Sequence, residues 1–278
     1  MVANLFGGLN MTKLFTPFNN YLKLVFSYSV VNLKSQMEYR GAFVSQVLSM
    51  FFNNCVWVLF WTIFYGKYVV LKGWTVKDVV TLWAIACAGF GIAHALCGNA
   101  LHLPVLIMRG QLDAWMLYPR RLLPHLLLGK MSASAVGDAI FGFVTYFALV
   151  CPDLTHAVLF IALSIAVAFA YIGFSIFTGS LAFFIGNAEV LAEQLRGSLI
   201  TFSTFPASLF EGWFKIVLFT VLPAAYVSYL PVDALHNMSL VSAFETVAGS
   251  AAVFLVGVFM FAFGLTRYES GNLMEMRG

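Results

Sequence analysis

Uncharged apolar runs organise this chain. No Asp, Glu, Lys or Arg occurs over 41–66, between Arg40 and Lys67, or over 79–108, between Asp78 and Arg109. Each run exceeds the roughly 20 apolar residues that carry a helix across a bilayer. A third run, 131–151, holds one acid, Asp138, and the chain is then uncharged over 154–188, which contains a fourth crossing and its flanks. A fifth crossing is expected over 191–210, with Glu193 and Arg196 in its first turns, and a sixth over 247–266. The pattern therefore predicts an all-α membrane protein with six transmembrane helices, organised as one transmembrane domain over 1–278.

Two segments depart from that pattern. Over 211–245 the apolar stretch 216–222 is followed by Pro223, then by 226–230, Pro231 and Asp233. This is too broken for one straight span, so we read 211–240 as two short helices forming a re-entrant hairpin in the outer leaflet, packed on the other spans where its irregular backbone is shielded. A seventh span kinked at Pro223 is the alternative. Ahead of the first span, Leu22, Val25, Phe26, Leu33 and Met37 recur near helical spacing while Lys23, Ser27, Lys34 and Glu38 are offset from them. That suits an interfacial helix over 18–39 lying on the inner membrane surface, either as an anchor or to pass force from a cytoplasmic partner.

Composition narrows the class. Only 10% of the 278 residues are charged and 61% are hydrophobic, against roughly a quarter charged in soluble domains. Six spans leave no room for a separate soluble catalytic domain. A net charge of +3, scattered along the chain, does not suit a nucleic-acid partner. Four cysteines, three of them inside apolar runs, do not make a disulfide framework. The first 40 residues carry Lys13, Lys23, Lys34 and Arg40 without the features of a signal peptide, so the amino terminus is expected to be retained.

With six spans and both ends on one side, that side collects Lys13, Lys23, Lys34, Arg40, Arg109, Arg120, Arg121, Lys130, Arg196, Arg267 and Arg277, and the other collects Lys67, Lys72, Lys77 and Lys215. The positive-inside bias orients both termini and the loop after span two toward the cytoplasm. A seven-span arrangement would put Arg267 and Arg277 outside.

The loop after span two is the richest segment: 109–130 reads RGQLDAWMLYPRRLLPHLLLGK. Leu112, Trp115 and Met116 fall on one face of a short amphipathic helix, with Arg109, Gln111 and Asp113 elsewhere, and Pro119 ends it after about two turns. Such a piece can insert into a groove on another protein. Arg120 and Arg121 then set two planar cations at the membrane edge, for acidic side chains of a partner or anionic lipid heads.

Polar residues inside the spans are few. Asp138 suits a helix-to-helix hydrogen bond or pairing with a cytoplasmic arginine. His94 and His102 are eight apart, about 12 Å along a helix axis, with no acidic third ligand near, which disfavours a metal site. An interhelical contact or hydrogen bonds to a substrate path are the open readings, with Pro104 opening the helix below. Ser175 and Gly179 have small-xxx-small spacing for close packing.

The Arg109-Gly-Gln-Leu-Asp113 run, Leu117-Tyr-Pro119, the Gly137-Asp138 pair, Phe184-Ile-Gly186, and the tract from Leu222-Pro223 through Tyr229-Leu-Pro231-Val-Asp-Ala234 stand in order. Over about 21–268 the chain resembles the six-span permease subunits of bacterial type V ABC exporters. The family pattern more often has an acid where Gln111 stands and a base where Tyr118 stands. The resemblance implies that 109–130 is the cytoplasmic coupling segment, meeting a separate ATP-binding subunit through Arg109, Gln111, Leu112, Asp113, Trp115, Met116, Arg120 and Arg121. It also implies that spans two and five line the translocation path, with Phe90, His94, Phe202 and Phe205 facing an apolar or amphipathic cargo.

Gly66-Lys67 and Gly129-Lys130 lack the upstream glycine and following hydroxyl of a phosphate-binding loop, so this chain is expected to hold no cofactor, with ATP and Mg²⁺ on the partner subunit. Two ABC ATP-binding subunits, a second permease chain that is identical or related, the lipid bilayer and a bacterial inner-membrane location complete the implied assembly. An ion-coupled secondary carrier using Asp138 is the alternative, although no internal repeat with paired broken helices is visible. No convergent polar constellation suggests a membrane enzyme.

Overall fold

The structure is a computed structural model and describes residues 18–67, 73–206, 210 and 212–268. Lys13, Lys72, Glu211, Arg277 and both chain ends lie outside the described residues, as do the side chains of Lys67 and Lys215. The fold is 84% helical, with no strand among the described residues.

The first helix, α1 (Phe18–Gln36), continues through a 3-10 turn, Met37–Tyr39, into α2 (Arg40–Lys67). Gln36 and Arg40 both keep right-handed helical angles across this junction, which tightens without a break. Next, α3 (Val76–Leu96) starts at Thr75, whose hydroxyl accepts from the Asp78 amide while the Asp78 carboxylate accepts from the Thr75 amide, a reciprocal cap that satisfies two orphan donors.

The apolar run 79–108 is not one helix. After Leu96 the backbone turns at Cys97, forms a 3-10 segment, Gly98–His102, and resumes as α4 (Leu103–Met108). Two features cause the break. At Gly98 a side chain would sit 2.6 Å from the Ser132 amide, so glycine alone admits the approaching backbone. The freed groups are then re-satisfied across that contact: the Asn99 amide donates to the Lys130 carbonyl at 3.2 Å and Ser132 donates to the His94 carbonyl at 3.0 Å. Pro104, in the first turn of α4, needs no donor there.

A short helix, α5 (Leu112–Met116), and α6 (Leu122–Leu127) follow, then α7 (Ala133–Leu149) and α8 (Leu154–Ser180). A 3-10 turn, Leu181–Phe183, leads to α9 (Ala188–Ser203). The tract after it contains α10 (Trp213–Thr220), a π-helical turn at Ala225–Tyr229 and α11 (Leu230–Asn237), and the described chain ends with α12 (Leu240–Leu265). Among the described residues, four helices are long and apolar enough to cross a membrane: the α1–α2 rod over Leu22–Gly66, α3, α8 with its 3-10 extension, and α12. Both α7 and α9 are shorter, at 17 and 16 residues.

The central helix is α3, which packs on α7 and α8, while α8 pairs along its length with α12, and α2 covers α7. Glycine makes the α8–α12 pairing possible. A side chain at Gly173 would lie 2.3 Å from the Phe254 Cα, and one at Gly257 would lie 2.2 Å from the Gly173 carbonyl oxygen. The backbones touch there, as in small-residue membrane packing.

The broken tract packs on the long helices. Its π turn and α11 lie against α3 and α12, and Ala225, Val227, Ser228, Tyr229, Val232 and Leu235 are buried. Pro231 opens α11, and Met238 closes it in a left-handed conformation with φ 49°. The Tyr229 hydroxyl donates to the Phe202 carbonyl at 2.6 Å, tying the tract to α9. His236 is bonded to Asp78 at the start of α3, so the tract and the 109–130 segment occupy opposite ends of that helix.

Gly173→Leu should separate α8 from α12 and cost at least about 1–3 kcal/mol by overpacking, read as a lower melting temperature of the detergent-purified chain. Gly41→Ala, where nothing lies within 4 Å, should leave that temperature unchanged.

Candidate functional site

The segment between α4 and α7 is held by its own apolar side chains. Arg109 follows α4, and Gly110 turns the chain with φ 67°, its amide donating to the Ile107 carbonyl at 3.1 Å. The next helix, α5, has 5 residues, shorter than the two turns expected. Leu112 has no exposed surface and belongs to a cluster with Leu103, Ile107, Leu126, Leu127, Ile176 and Phe261. Trp115 is half-buried in the same group; its ring stands edge-on to His125 at 4.9 Å and lies so close to Gly129 that a side chain there would meet it at 2.4 Å.

This corrects the expected docking face. Leu112 and Trp115 do not project from the protein but turn inward, because the ends of α4, α8 and α12 offer an apolar surface beneath them. The exposed side presents Met116, Leu117, Tyr118, Arg120 and Arg121, with Arg109, Gln111 and Asp113 beside them. Leu117 is 86% exposed, an unusual position for a leucine on a polar segment. Asp113 stands near the end of α12, where burial and this carboxylate together push the Tyr268 phenol up to about 12.

The first helix docks on this segment. The Asn32 side chain donates to the Leu128 carbonyl at 2.9 Å, and the Tyr28 hydroxyl is bonded to His125 Nδ1. His125 is buried among Tyr28, Trp115 and Tyr118. Burial and the Arg120 charge lower its pKa from the usual imidazole value, and burial raises that of Tyr28. The ring is therefore neutral at neutral pH. Neither Tyr28 nor His125 stood out in the sequence; the signal was a histidine in register with three aromatic residues across two segments.

The interior candidates fall in the core. His94 is buried, with Nε2 3.2 Å from the Ser175 hydroxyl and Nδ1 3.1 Å from the Phe90 carbonyl. It is a satisfied contact between α3 and α8. The break at Cys97 separates it from His102, which meets Lys130 at 3.1 Å. Among the described residues no group of three His, Cys, Asp or Glu side chains suits a metal. Phe90 packs on Tyr171, Phe205 on Trp61 and Phe202 on Phe210. Phe90, Phe202 and Phe205 all remain partly exposed.

Asp138 pairs with neither a substrate route nor an arginine. Its Oδ1 accepts from the Asn54 side chain at 2.7 Å, both residues being buried between α2 and α7. Its Oδ2 has no partner among the described residues. Asn54, in an uncharged run, is the half of this pair that the sequence did not single out.

A family model described as ABC-2 family transporter protein matches residues 51–271. No curated protein matches the chain, and no solved structure does.

A histidine whose pKa is lowered on docking takes its proton first in the undocked state, so docking of α1 should weaken as pH falls through the ordinary imidazole range. Hydrogen–deuterium exchange of α1, corrected for intrinsic rates, should rise between pH 7.5 and pH 5.5. The pH dependence should be absent in His125→Asn.

Proposed function

The chain belongs to the ABC-2 transporter family, and from that premise we propose that it is the permease half of an ATP-driven exporter, powered through the exposed face of its 109–130 segment. Membership makes it an integral membrane permease subunit of an ABC transporter, a translocation component rather than a catalyst. The export direction, the ATP-binding partner and a second permease chain are our inference. So is a six-span arrangement in the bacterial inner membrane with cytoplasmic termini, in which α7 and α9 are the third and fifth crossings and the tract over 211–240 dips in from outside.

One observation carries the coupling reading. The 109–130 segment is rooted by Leu112 and Leu126 in a cluster shared with α8 and α12, yet it displays Leu117, Tyr118, Arg120 and Arg121 to solvent. A push on that exposed face is delivered to the ends of α8 and α12. Leu112 and Trp115 therefore act as the root, and Met116, Leu117 and Arg121 as the contact, with Arg109, Gln111 and Asp113 on its rim and Arg120 turned toward α1.

The cargo route is supported by α9. Its inward side is Ala188, Ala192, Leu199 and Ser203, while Glu189, Glu193, Gln194, Gly197 and Thr201 are exposed. Such a stripe is costly against lipid and suits water or a second chain. Phe202 and Phe205 at its end, with Phe90, make the adjoining wall apolar, which fits an amphipathic substrate. The carrier reading through Asp138 has less support, since that carboxylate is engaged by Asn54.

Purification from membranes should recover a subunit with a phosphate-binding loop, and transport should follow ATP; a complex lacking it whose activity follows a proton gradient would contradict the proposal. Leu117→Asp should reduce recovery of the ATP-binding subunit about tenfold while leaving chain abundance intact. Leu112→Ala should instead lower stability by about 2–5 kcal/mol, the cost of a buried cavity.

A further inference from the structure

Between α1 and the 109–130 segment lies an open cleft of about 680 Å³. It is lined on one side by Lys23, Leu24, Tyr28 and Val31 and on the other by Tyr118 and Arg120, with His125 at its floor. Two cations face it and no carboxylate lines it. Among the described residues neither Lys23 nor Arg120 has an ion-pair partner. His125 is neutral and its Nε2 has no partner among the described residues, while the Tyr118 side chain is exposed. The cleft thus concentrates positive potential and hydrogen-bond donors with nothing among the described residues to answer them.

We propose that this cleft binds the phosphate-bearing headgroup of an anionic lipid from the adjacent leaflet. The charge pattern calls for an anion, and the flanking face of α1 says which kind. Leu22, Phe26, Leu33 and Met37 are exposed and share one helical stripe, while Lys23, Ser27, Tyr28 and Val31 form the neighbouring stripe that enters the cleft. A ligand held there has its anionic end between Lys23 and Arg120 and its apolar end along Leu24, Val31 and the greasy stripe. Lysine supplies a compact point charge and arginine a planar fork suited to phosphate oxygens. A bilayer places headgroups at this depth when α1 lies on its surface. The headgroup would thereby bridge the surface helix and the coupling segment, a contact that the Tyr28–His125 and Asn32–Leu128 bonds leave open at its outer rim. The inference depends on α1 lying at the membrane surface and not on an ATP-binding partner.

The test is lipid retention by the detergent-purified chain, with any subunits that accompany it, followed by native mass spectrometry during titration with dioleoyl phosphatidylglycerol or dioleoyl phosphatidylcholine. Phosphatidylglycerol should be retained at least about tenfold more strongly. The double variant Lys23→Ala/Arg120→Ala should abolish that preference, Arg120→Lys should keep part of it, and Lys34→Ala, an exposed cation outside the cleft, should keep all of it. Equal losses in Lys34→Ala and the double variant would overturn the proposal, because they would mean unspecific attraction. Displacement of the lipid by millimolar inorganic phosphate would overturn the lipid assignment in favour of a free-anion site. Displacement by an ATP-binding subunit would overturn it in favour of a protein contact. Correct folding of the double variant is checked by its unchanged melting temperature in phosphatidylcholine.

Discussion

The inward burial of Leu112 is the packing contact on which the functional reading depends. A 5-residue helix has no stability of its own, since nucleation costs more than one turn returns. Here it is fixed because Leu112 and Leu126 share an apolar cluster with the ends of α4, α8 and α12. That packing turns a loop into a rigid extension of the membrane helices and leaves its other side, from Met116 to Arg121, free to meet a partner. The cost is that the same segment cannot bend without disturbing α8.

Rigidity continues upward through backbone contacts. The Gly173–Gly257 approach locks α8 to α12, and α8 in turn packs along α3, whose far end is held to the broken tract by Asp78 and His236. A displacement at the segment is thus connected through packed helices to the opposite end of the protein. On this view the break at Cys97 matters as much as the straight helices. It brings the Lys130–Ser132 strand of backbone against α3 through the Asn99 and Ser132 hydrogen bonds, so the segment's exit is tied to the helix that precedes it.

Much of this was legible in the sequence, and the failures have physical causes. Absence of charge marked α2, α3, α8 and α12, because charge is what a bilayer excludes, and Pro223 and Pro231 marked the broken tract. The end of α3 was hidden because the apolar run continues through Met108; Gly98 and Pro104 were present as signals, but only the approach of Ser132 gives them force. Helical spacing grouped Leu112, Trp115 and Met116 on one face, yet Leu112 is buried and Trp115 half-buried while Met116 is exposed. It could not say whether that face met another protein or this one, since an apolar stripe is the same in both cases. Asn54 and Asp138, and Tyr28 and His125, are separated by 84 and 97 positions, and pairing at such distance is a property of the packing. Membership of the ABC-2 family, by contrast, agrees with the resemblance to an ABC permease that short ordered motifs conveyed, at the level of the permease and not of the exporter class.

The coupling reading stands or falls on which side of the membrane the 109–130 segment lies. Arg121→Cys introduces a thiol at an exposed position of that segment, and a membrane-impermeant maleimide reports its side against the background of the native cysteines. The expected result is no added labelling in intact cells and strong labelling once the membrane is permeabilised. Labelling of intact cells would put the segment outside, where no ATP-binding subunit could reach it.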